Sequence, residues 1–418
     1  MDEAGGVRRP AAVLAVWAVS RAVLLLYVLR VLVFPGPDVT GDVSVLYQGW
    51  SEVLRQGAFP ADDVAWQYPP GAALALLAPL ALPFLGYADA FFALACAADL
   101  AVLCLLLCGG RRLGRPLRGA WVWTAGAPLL GPVLYARYDV LVTAVAVAAL
   151  LAGARRPRVL GVLAGLGALL KVWPVLLLAG VRGRGGRRAW TAAAVTAAVP
   201  VAVCAPCVPG TLSFLAAQGG RGTEVESLGA LVLHAARLFG WQGQVLLHYG
   251  SMEFLGPYVG AVSAGAQVLT AAAFGWLLWW RLRTRHGRLA PCVVVDAAFT
   301  AVLLFTVTSR VISPQYLVWL VGLGAVCGCC AGSRMWPAVA LVLAAALVTV
   351  LEFPVYFGHV VASDPLGLTL MFLRNGLLVA ACLGAGRVLW RGTAARPAGP
   401  PSPHDRAPAR TRQPSPAP

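Results

Sequence analysis

Of 418 residues, 59% are hydrophobic and only 12% are charged, where a soluble domain carries roughly 25% charged residues. Seventeen acidic side chains face thirty-three basic ones, for a formal charge of +16. These values exclude a soluble globular domain, a disordered tail protein and a disulfide-stapled secreted module. Apolar runs of about twenty residues recur along the chain, each long enough to cross a bilayer core of roughly 30 Å as a helix. The expected class is therefore an all-α polytopic integral membrane protein, with the bilayer as its first partner.

The basic charge sits in short loops between apolar runs: Arg111, Arg112, Arg115 and Arg118; Arg155, Arg156 and Arg158; Arg182, Arg184, Arg187 and Arg188; Arg281, Arg283, Arg285 and Arg288. Short arginine-rich loops mark the cytoplasmic side, so the excess is an orientation signal and nucleic acid is not an expected partner. Lys171 is the only lysine.

In chain order, residues 1–10 form a cytoplasmic amino end and the first span runs from Ala11 to Phe34. It is too long for a cleaved signal peptide and carries Arg21. The stretch 35–69 is external. Gly71–Tyr87, broken by Pro79 and Pro83, reads as an interfacial or dipping helix, and Ala88–Gly110 as the second span. Trp121–Tyr135 and Val140–Ala154 make an out-and-back pair that turns at Arg137-Tyr138-Asp139. The basic loops at 155–158 and 182–188 should lie on one side, although residues 159–181 leave room for a single crossing. A hairpin of two half-helices broken at Lys171-Val172-Trp173-Pro174 resolves that conflict, because proline removes a helix donor and covered breaks are tolerated at membrane depth. Ala189–Val208, Tyr258–Trp280, Leu289–Thr308, Tyr316–Gly332, Trp336–Phe357 and Leu366–Trp390 follow, for about twelve membrane segments. A second long external loop spans 209–257, and 391–418 reads as a disordered cytoplasmic tail rich in Pro, Arg and Ala.

Candidate chemistry collects at the external ends. Five of the seventeen acids, Asp38, Asp42, Glu52, Asp62 and Asp63, fall in the first external loop with Trp50, Trp66 and Tyr68. Acids beside aromatic faces suit a sugar; a solvated loop with an interfacial aromatic belt is the plainer alternative. Arg137 and Asp139 lie at one turn, Arg310, Ser313, Gln315 and Tyr316 at another, and Glu352 and His359 at a third. Ionisable groups at such depth are functional candidates, although Arg137 and Asp139 could simply neutralise each other and Lys171 could be snorkelling near a helix end. Cys204 and Cys207 have C-x-x-C spacing without a histidine, which suits a disulfide or a chance pair better than zinc. No P-loop, dinucleotide fingerprint or nucleophile elbow is present, and no metal or cofactor is called for.

Several stretches carry a resemblance. Gly41-Asp42 to Tyr47 and Trp66-Gln67-Tyr68-Pro69-Pro70-Gly71 resemble the first loop of the GT-C glycosyltransferases. More narrowly they resemble glycosyltransferase family 87, the polyprenyl-phosphate-mannose-dependent mannosyltransferases of actinobacteria. Arg137-Tyr138-Asp139, Gly165 to Pro174, Glu224 to Ser227 and Ser309-Arg310-Val311-Ile312-Ser313-Pro314-Gln315-Tyr316 are similar to that group too. The resemblance implies a GT-C-like bundle in the cell membrane with its active site on the extracytoplasmic face. It implies transfer of a sugar, mannose by default, from a polyprenyl-phosphate-linked donor to a glycan or glycolipid hydroxyl, with inversion. It also implies Asp42 as general base, with Asp38, Asp62 and Asp63 as lower-ranked substitutes. Arg310, Lys171 and Arg137 are the cations available for the donor phosphate. Asp38, Tyr47, Trp66, Tyr68, Asp139, Glu224, Glu226, Gln315, Tyr316 and His359 are the remaining substrate-contact candidates. A transporter or flippase of lipid-linked sugars is the rival reading, with Asp99, Asp296 and Arg374 as its in-span charges. A non-catalytic envelope-assembly protein is another.

Overall fold

A computed structural model describes residues 3–115, 117–153, 155–217, 221–284, 290 and 292–393. The expected tail beyond 393 and the arginines 285 and 288 lie outside the described residues. Helix α1 (Glu3–Val28) ends six residues before the expected Phe34, in a turn through Arg30. A π-helical turn over Asp42–Tyr47 leads directly into α2 (Gln48–Arg55). The dipping segment is α3 (Ala72–Leu77) plus a 3₁₀ turn to Ala81, followed by the long α4 (Tyr87–Leu113). The outward limb of the next pair is not one helix. It is α5 (Arg118–Gly126) and a 3₁₀ stretch to Leu134, split at Gly131-Pro132, where proline cannot continue the helical bonding. Its return is α6 (Asp139–Gly153).

The half-helix hairpin is present. Helix α7 (Pro157–Leu170) stops at Lys171, whose backbone is extended, and a 3₁₀ segment, Trp173–Leu178, runs back. At about 1.5 Å per residue α7 is about 21 Å long, short of a full bilayer core. Helix α8 (Gly183–Cys204) begins beside the start of α7: Pro157 Cγ lies 3.3 Å from where a Cβ on Gly185 would stand. The two arginine loops therefore share one end of the molecule. Helices α7 and α8 pack backbone to backbone through small residues; a Cβ on Gly161 would fall 2.1 Å from the Ala189 carbonyl oxygen.

After α9 (Ser213–Ala217) comes an addition to the all-α expectation: a three-stranded antiparallel sheet ordered β1-β3-β2. Its strands are β1 (Thr223–Glu224), β2 (Gln244–His248) and β3 (Ser251–Leu255), with α10 (Ala230–Leu238) between the first two. Strands of two, five and five residues give too short an alternation to stand out in a long loop. Helices α11 (Val259–Arg283), α12 (Cys292–Thr308), α13 (Tyr316–Cys329), α14 (Trp336–Val350), α15 (Phe357–Ala362) and α16 (Pro365–Gly392) complete the bundle. The helix α16 extends past Trp390, so the tail boundary falls later than expected.

Among the described residues five helices are long and apolar enough to cross a membrane: Pro10–Val28 of α1, α4, α11, Trp336–Val355 and α16. The most apolar stretch of α11 is only 11% buried, so its apolar surface faces outward to a lipid-like medium. This is a multi-pass membrane protein. Inside the bundle, the in-span charges are partnered. Asp99 accepts from Arg21 Nε at 2.7 Å, Trp123 Nε1 at 2.6 Å, Trp17 Nε1 at 3.1 Å and Tyr135 Oη at 2.7 Å. Arg21 also donates to the Thr124 carbonyl at 2.8 Å. Asp296 accepts from Ser333 Oγ at 2.6 Å. Arg374 donates to the Glu226 and Ile312 carbonyls at 2.6 and 2.7 Å and lies 3.3 Å from a Glu352 carboxylate oxygen.

The second loop has its own small core of Val225, Ala230, Leu233, Phe254, Val259, Val360 and Met371. His234 is buried against it, with Nδ1 2.7 Å from Ser363 Oγ and Nε2 2.8 Å from the Val225 carbonyl oxygen. Burial, only partly offset by the Val225 carbonyl, pulls the imidazole down to about 4. A histidine that folds neutral makes the unfolded loop bind more protons as acid is added. Its contribution is therefore intact above about pH 6.5 and is lost as pH falls toward 4, for about 3 kcal/mol in all. Hydrogen exchange of the β2–β3 hairpin should accelerate over that window in the wild type, and the acceleration should flatten in His234→Gln. Single cysteines placed at residue 156 and residue 187 should be labelled by an impermeant reagent from the same side of the membrane.

Candidate active site

The loop 35–69, the ends of α6, α7 and α13, and the sheet loop meet at the end of the bundle opposite the arginine loops. The loop 35–69 is brought close by Gly71: a Cβ there would sit 2.7 Å from both Cβ and the carbonyl oxygen of Leu169. No larger residue lets the Tyr68-Pro69-Pro70 turn lie against the α7 terminus.

Asp42 opens the π-helical turn, where its carboxylate meets Arg137 Nη2 at 2.7 Å. The Asp42 side chain is 41% exposed and that of Arg137 only 14%. Arg137 is itself fixed by the Val39 and Ala136 carbonyls at 3.2 and 2.8 Å. The guanidinium therefore steadies a carboxylate that stays open to solvent.

Asp139 does not pair with its sequence neighbour Arg137. Its Oδ1 accepts from Lys171 Nζ at 2.7 Å and from Trp319 Nε1 at 2.6 Å. Lys171, placed at the break after α7, lies inside a cage of rings. Its Nζ is 5.0 Å from Trp319, 5.3 Å from Tyr138, 5.5 Å from Tyr316 and 5.8 Å from Tyr68. Such contacts each contribute about 0.5–2 kcal/mol once desolvated. Tyr316 stacks on Trp319 at 4.1 Å, and Trp173 stacks on the same indole at 5.0 Å. The break at Lys171-Val172-Trp173-Pro174 thus delivers both the lysine and an indole to one place. The lone lysine is not snorkelling; it is spent on Asp139.

The other loop aromatics form a wall behind Asp42. Tyr47 packs on Trp50, Phe91 and Tyr138; Trp66 packs edge-on to Trp50 and Tyr68. Trp50 Nε1 donates to Asp63 at 2.8 Å, which makes Asp63 a brace for the loop. Tyr47 and Trp66, expected against substrate, are buried and pack within this wall.

Arg221 is the residue the sequence reading passed over. It donates to Glu253 at 3.1 Å, to Gln67 Oε1 at 2.9 Å and to Ser251 Oγ at 2.8 Å. Gln67, in the Trp-Gln-Tyr-Pro-Pro-Gly motif, also donates to the Tyr249 carbonyl at 2.7 Å. The two long loops are therefore latched together. Arg310, half-buried and 3.4 Å from Ser263 Oγ, stands near enough to Arg221 for its charge to be felt. Burial first, then the Arg221 charge, lower the Arg310 guanidinium, with Glu253 acting the other way. A pair of cations crowded in this way favours an anion. The only sequence signal for Arg221 was its place three residues before Glu224.

Five other candidates remain to be placed. Glu224 is buried and accepts from the Ile312 amide at 2.7 Å and Ser313 Oγ at 2.8 Å. Its backbone N–H bonds the Arg310 carbonyl at 3.1 Å. Burial raises its carboxyl, with Arg221 and Ser313 opposing. Glu226 is buried beside Arg374, and burial followed by the nearby Glu224 and Glu352 charges pushes it well above the usual range. Glu224 pins the Ser309–Tyr316 turn, whereas Glu226 reaches that turn only through Arg374, which bonds the carbonyls of both Glu226 and Ile312. Asp38 caps its own turn, accepting from the Thr40 amide and hydroxyl and from Arg30. Partial burial acts against it, yet those bonds bring its carboxyl below the usual value. His359 is exposed and held by Asp364 at 2.5 Å, apart from the Asp42 cluster. Gln315 precedes α13 half-buried, one residue before the caged Tyr316.

No group of three or more His, Cys, Asp or Glu residues able to hold a metal ion occurs among the described residues. Cys204 and Cys207 are free thiols. No curated protein matches the chain. Among solved structures it is similar to ArnT from Cupriavidus metallidurans, solved bound to undecaprenyl phosphate. That likeness has 14% identity, covers 94% of this chain and 78% of that one, and has a TM-score of 0.45. The family model described as glycosyltransferase family 87 matches residues 66–306, more than half of the chain, and the chain belongs to that family.

Proposed function

We propose that this membrane glycosyltransferase passes a sugar, by family default mannose, from a polyprenyl-phosphate-linked donor to a hydroxyl of a glycan or glycolipid on the extracytoplasmic face. The observation that carries the reading is Asp42: a half-exposed carboxylate, fixed by a largely buried arginine, at the edge of an aromatic wall and two latched loops. One displacement accounts for the transfer. Asp42 takes the proton of the acceptor hydroxyl as that oxygen attacks the anomeric carbon. The bond from that carbon to the phosphate oxygen breaks, the electron pair leaves on polyprenyl phosphate, and the centre is inverted. The proton on Asp42 then returns to water.

Arg310 is the cation we assign to the charge that grows on the leaving phosphate, since a guanidinium can grip two of its oxygens at once, and the latched Arg221 adds its positive field from nearby. Arg137 and Lys171 serve one step back, orienting Asp42 and Asp139. Of the rings around the site, the half-buried Tyr68 and Tyr316 supply the faces for a sugar ring. A phosphate-activated donor needs neither metal nor nucleotide. The transporter reading loses its support, because Asp99, Asp296 and Arg374 all spend their polar groups on protein partners.

In membranes given radiolabelled polyprenyl-phosphate-mannose, Asp42→Asn should lower turnover by about 10²–10⁴-fold while the protein still elutes as a folded species. Full turnover in that variant would remove Asp42 as the base. Arg310→Ala should raise the donor KM by about 10-fold or more, in keeping with the loss of a charge-assisted bond. An unchanged KM and kcat would move the phosphate elsewhere.

A further inference from the structure

A second site lies at the far end of the bundle from Asp42. A cavity of about 530 Å³ is lined by Arg182, Arg184, Arg187 and Arg281 with Trp190 and two glycines. Two of its arginines are built in. Arg182 bonds Thr284 through both its carbonyl and hydroxyl and lies over the Trp280 ring at 4.9 Å. Arg281 donates to the Ala179 and Val181 carbonyls at 2.6 and 2.8 Å. Arg184 and Arg187 are exposed and close the rim. Among the described residues no carboxylate pairs with any of the four. The cavity also opens on the first turn of α8. The earliest helical amide there to find an acceptor is that of Gly186, on Arg182 at 2.8 Å, so the amides before it are available to an anion.

The apolar surroundings say which kind of anion. Along α8 the four-residue steps from Arg187 are Thr191, Val195, Val199 and Val203, and the three valines are exposed. On α11, Leu278, Trp279 and Leu282 beside Arg281 are exposed as well. A cationic cup thus stands at the foot of two lipid-facing apolar ridges. We infer that this cavity binds the phosphodiester headgroup of an anionic membrane lipid, with the acyl chains lying along the valine face of α8. Four arginines without acids would repel one another in an empty cup; a phosphodiester accepts their hydrogen bonds and the helix amides together.

The test uses the full-length protein, delipidated in mild detergent and titrated by native mass spectrometry with phosphatidylglycerol, phosphatidylcholine or inorganic phosphate. Wild type should bind phosphatidylglycerol about 10-fold more tightly than phosphatidylcholine, and Arg184→Gln/Arg187→Gln should erase that preference. Arg184→Lys/Arg187→Lys should restore part of it. Both side chains are exposed, so an unchanged thermal midpoint for the delipidated Gln variant shows that folding is not the cause. Equal affinity for the two lipids, or a preference untouched by the Gln variant, would overturn the site. Full displacement of phosphatidylglycerol by millimolar inorganic phosphate would overturn the lipid as its ligand. Neither result bears on transfer at Asp42, which is read separately by sugar incorporation.

Discussion

The bond from Lys171 to Asp139 is the constraint on which the candidate site depends. It joins the start of α6 to the break after α7, and the same Asp139 oxygen ties in α13 through Trp319. Ion pairs taken out of water are stable only when geometry and further hydrogen bonds repay their lost hydration. Here the indole N–H and four flanking rings do so, although the second Asp139 oxygen has no partner among the described residues. Removing one member of such a pair typically costs about 3–5 kcal/mol, because the other charge remains buried. Loss of the pair would loosen Tyr68 and Tyr138 together, and with them the wall behind Asp42.

The acids divide by exposure, and exposure decides their work. Asp99, Asp139, Glu224, Glu226, Glu253 and Glu352 are buried and hold elements in place. Asp42 is joined to the same framework through Arg137 but keeps an open side. Such an arrangement separates stability from the proposed chemistry: the framework charges cannot move without cost, while Asp42, the base we propose, is held by a single firm contact.

Much of this was legible from the residues themselves. Apolar length and arginine placement located the spans, and the proline after Lys171 marked a broken helix because proline's covalent structure forbids the alternative. The first loop stood out through its local density of acids and aromatics. What escaped was partnership. Arg137 and Asp139 are two residues apart, yet each pairs with a residue far away, since a turn at a helix start points their side chains in different directions. Arg221 escaped because its value comes from Gln67, 154 positions earlier. Glu224 and Glu226 looked like loop carboxylates, and only packing against Ser313 and Arg374 shows them to be internal braces.

The contact between Arg21 and Asp99 has a consequence for how the chain is made. Helix α1 emerges from the ribosome well before α4, with a guanidinium in its apolar middle and no acid yet available to meet it. An arginine at the centre of a lone helix costs about 2.5–3.5 kcal/mol to insert, so α1 alone sits poorly in lipid. Its commitment to the membrane is completed only when Asp99, the Trp123 and Thr124 carbonyls and the Tyr135 hydroxyl arrive with the next segments. The amino-terminal third of the chain therefore inserts as a cooperative unit, and the first loop that carries Asp42 is closed into shape by the same event.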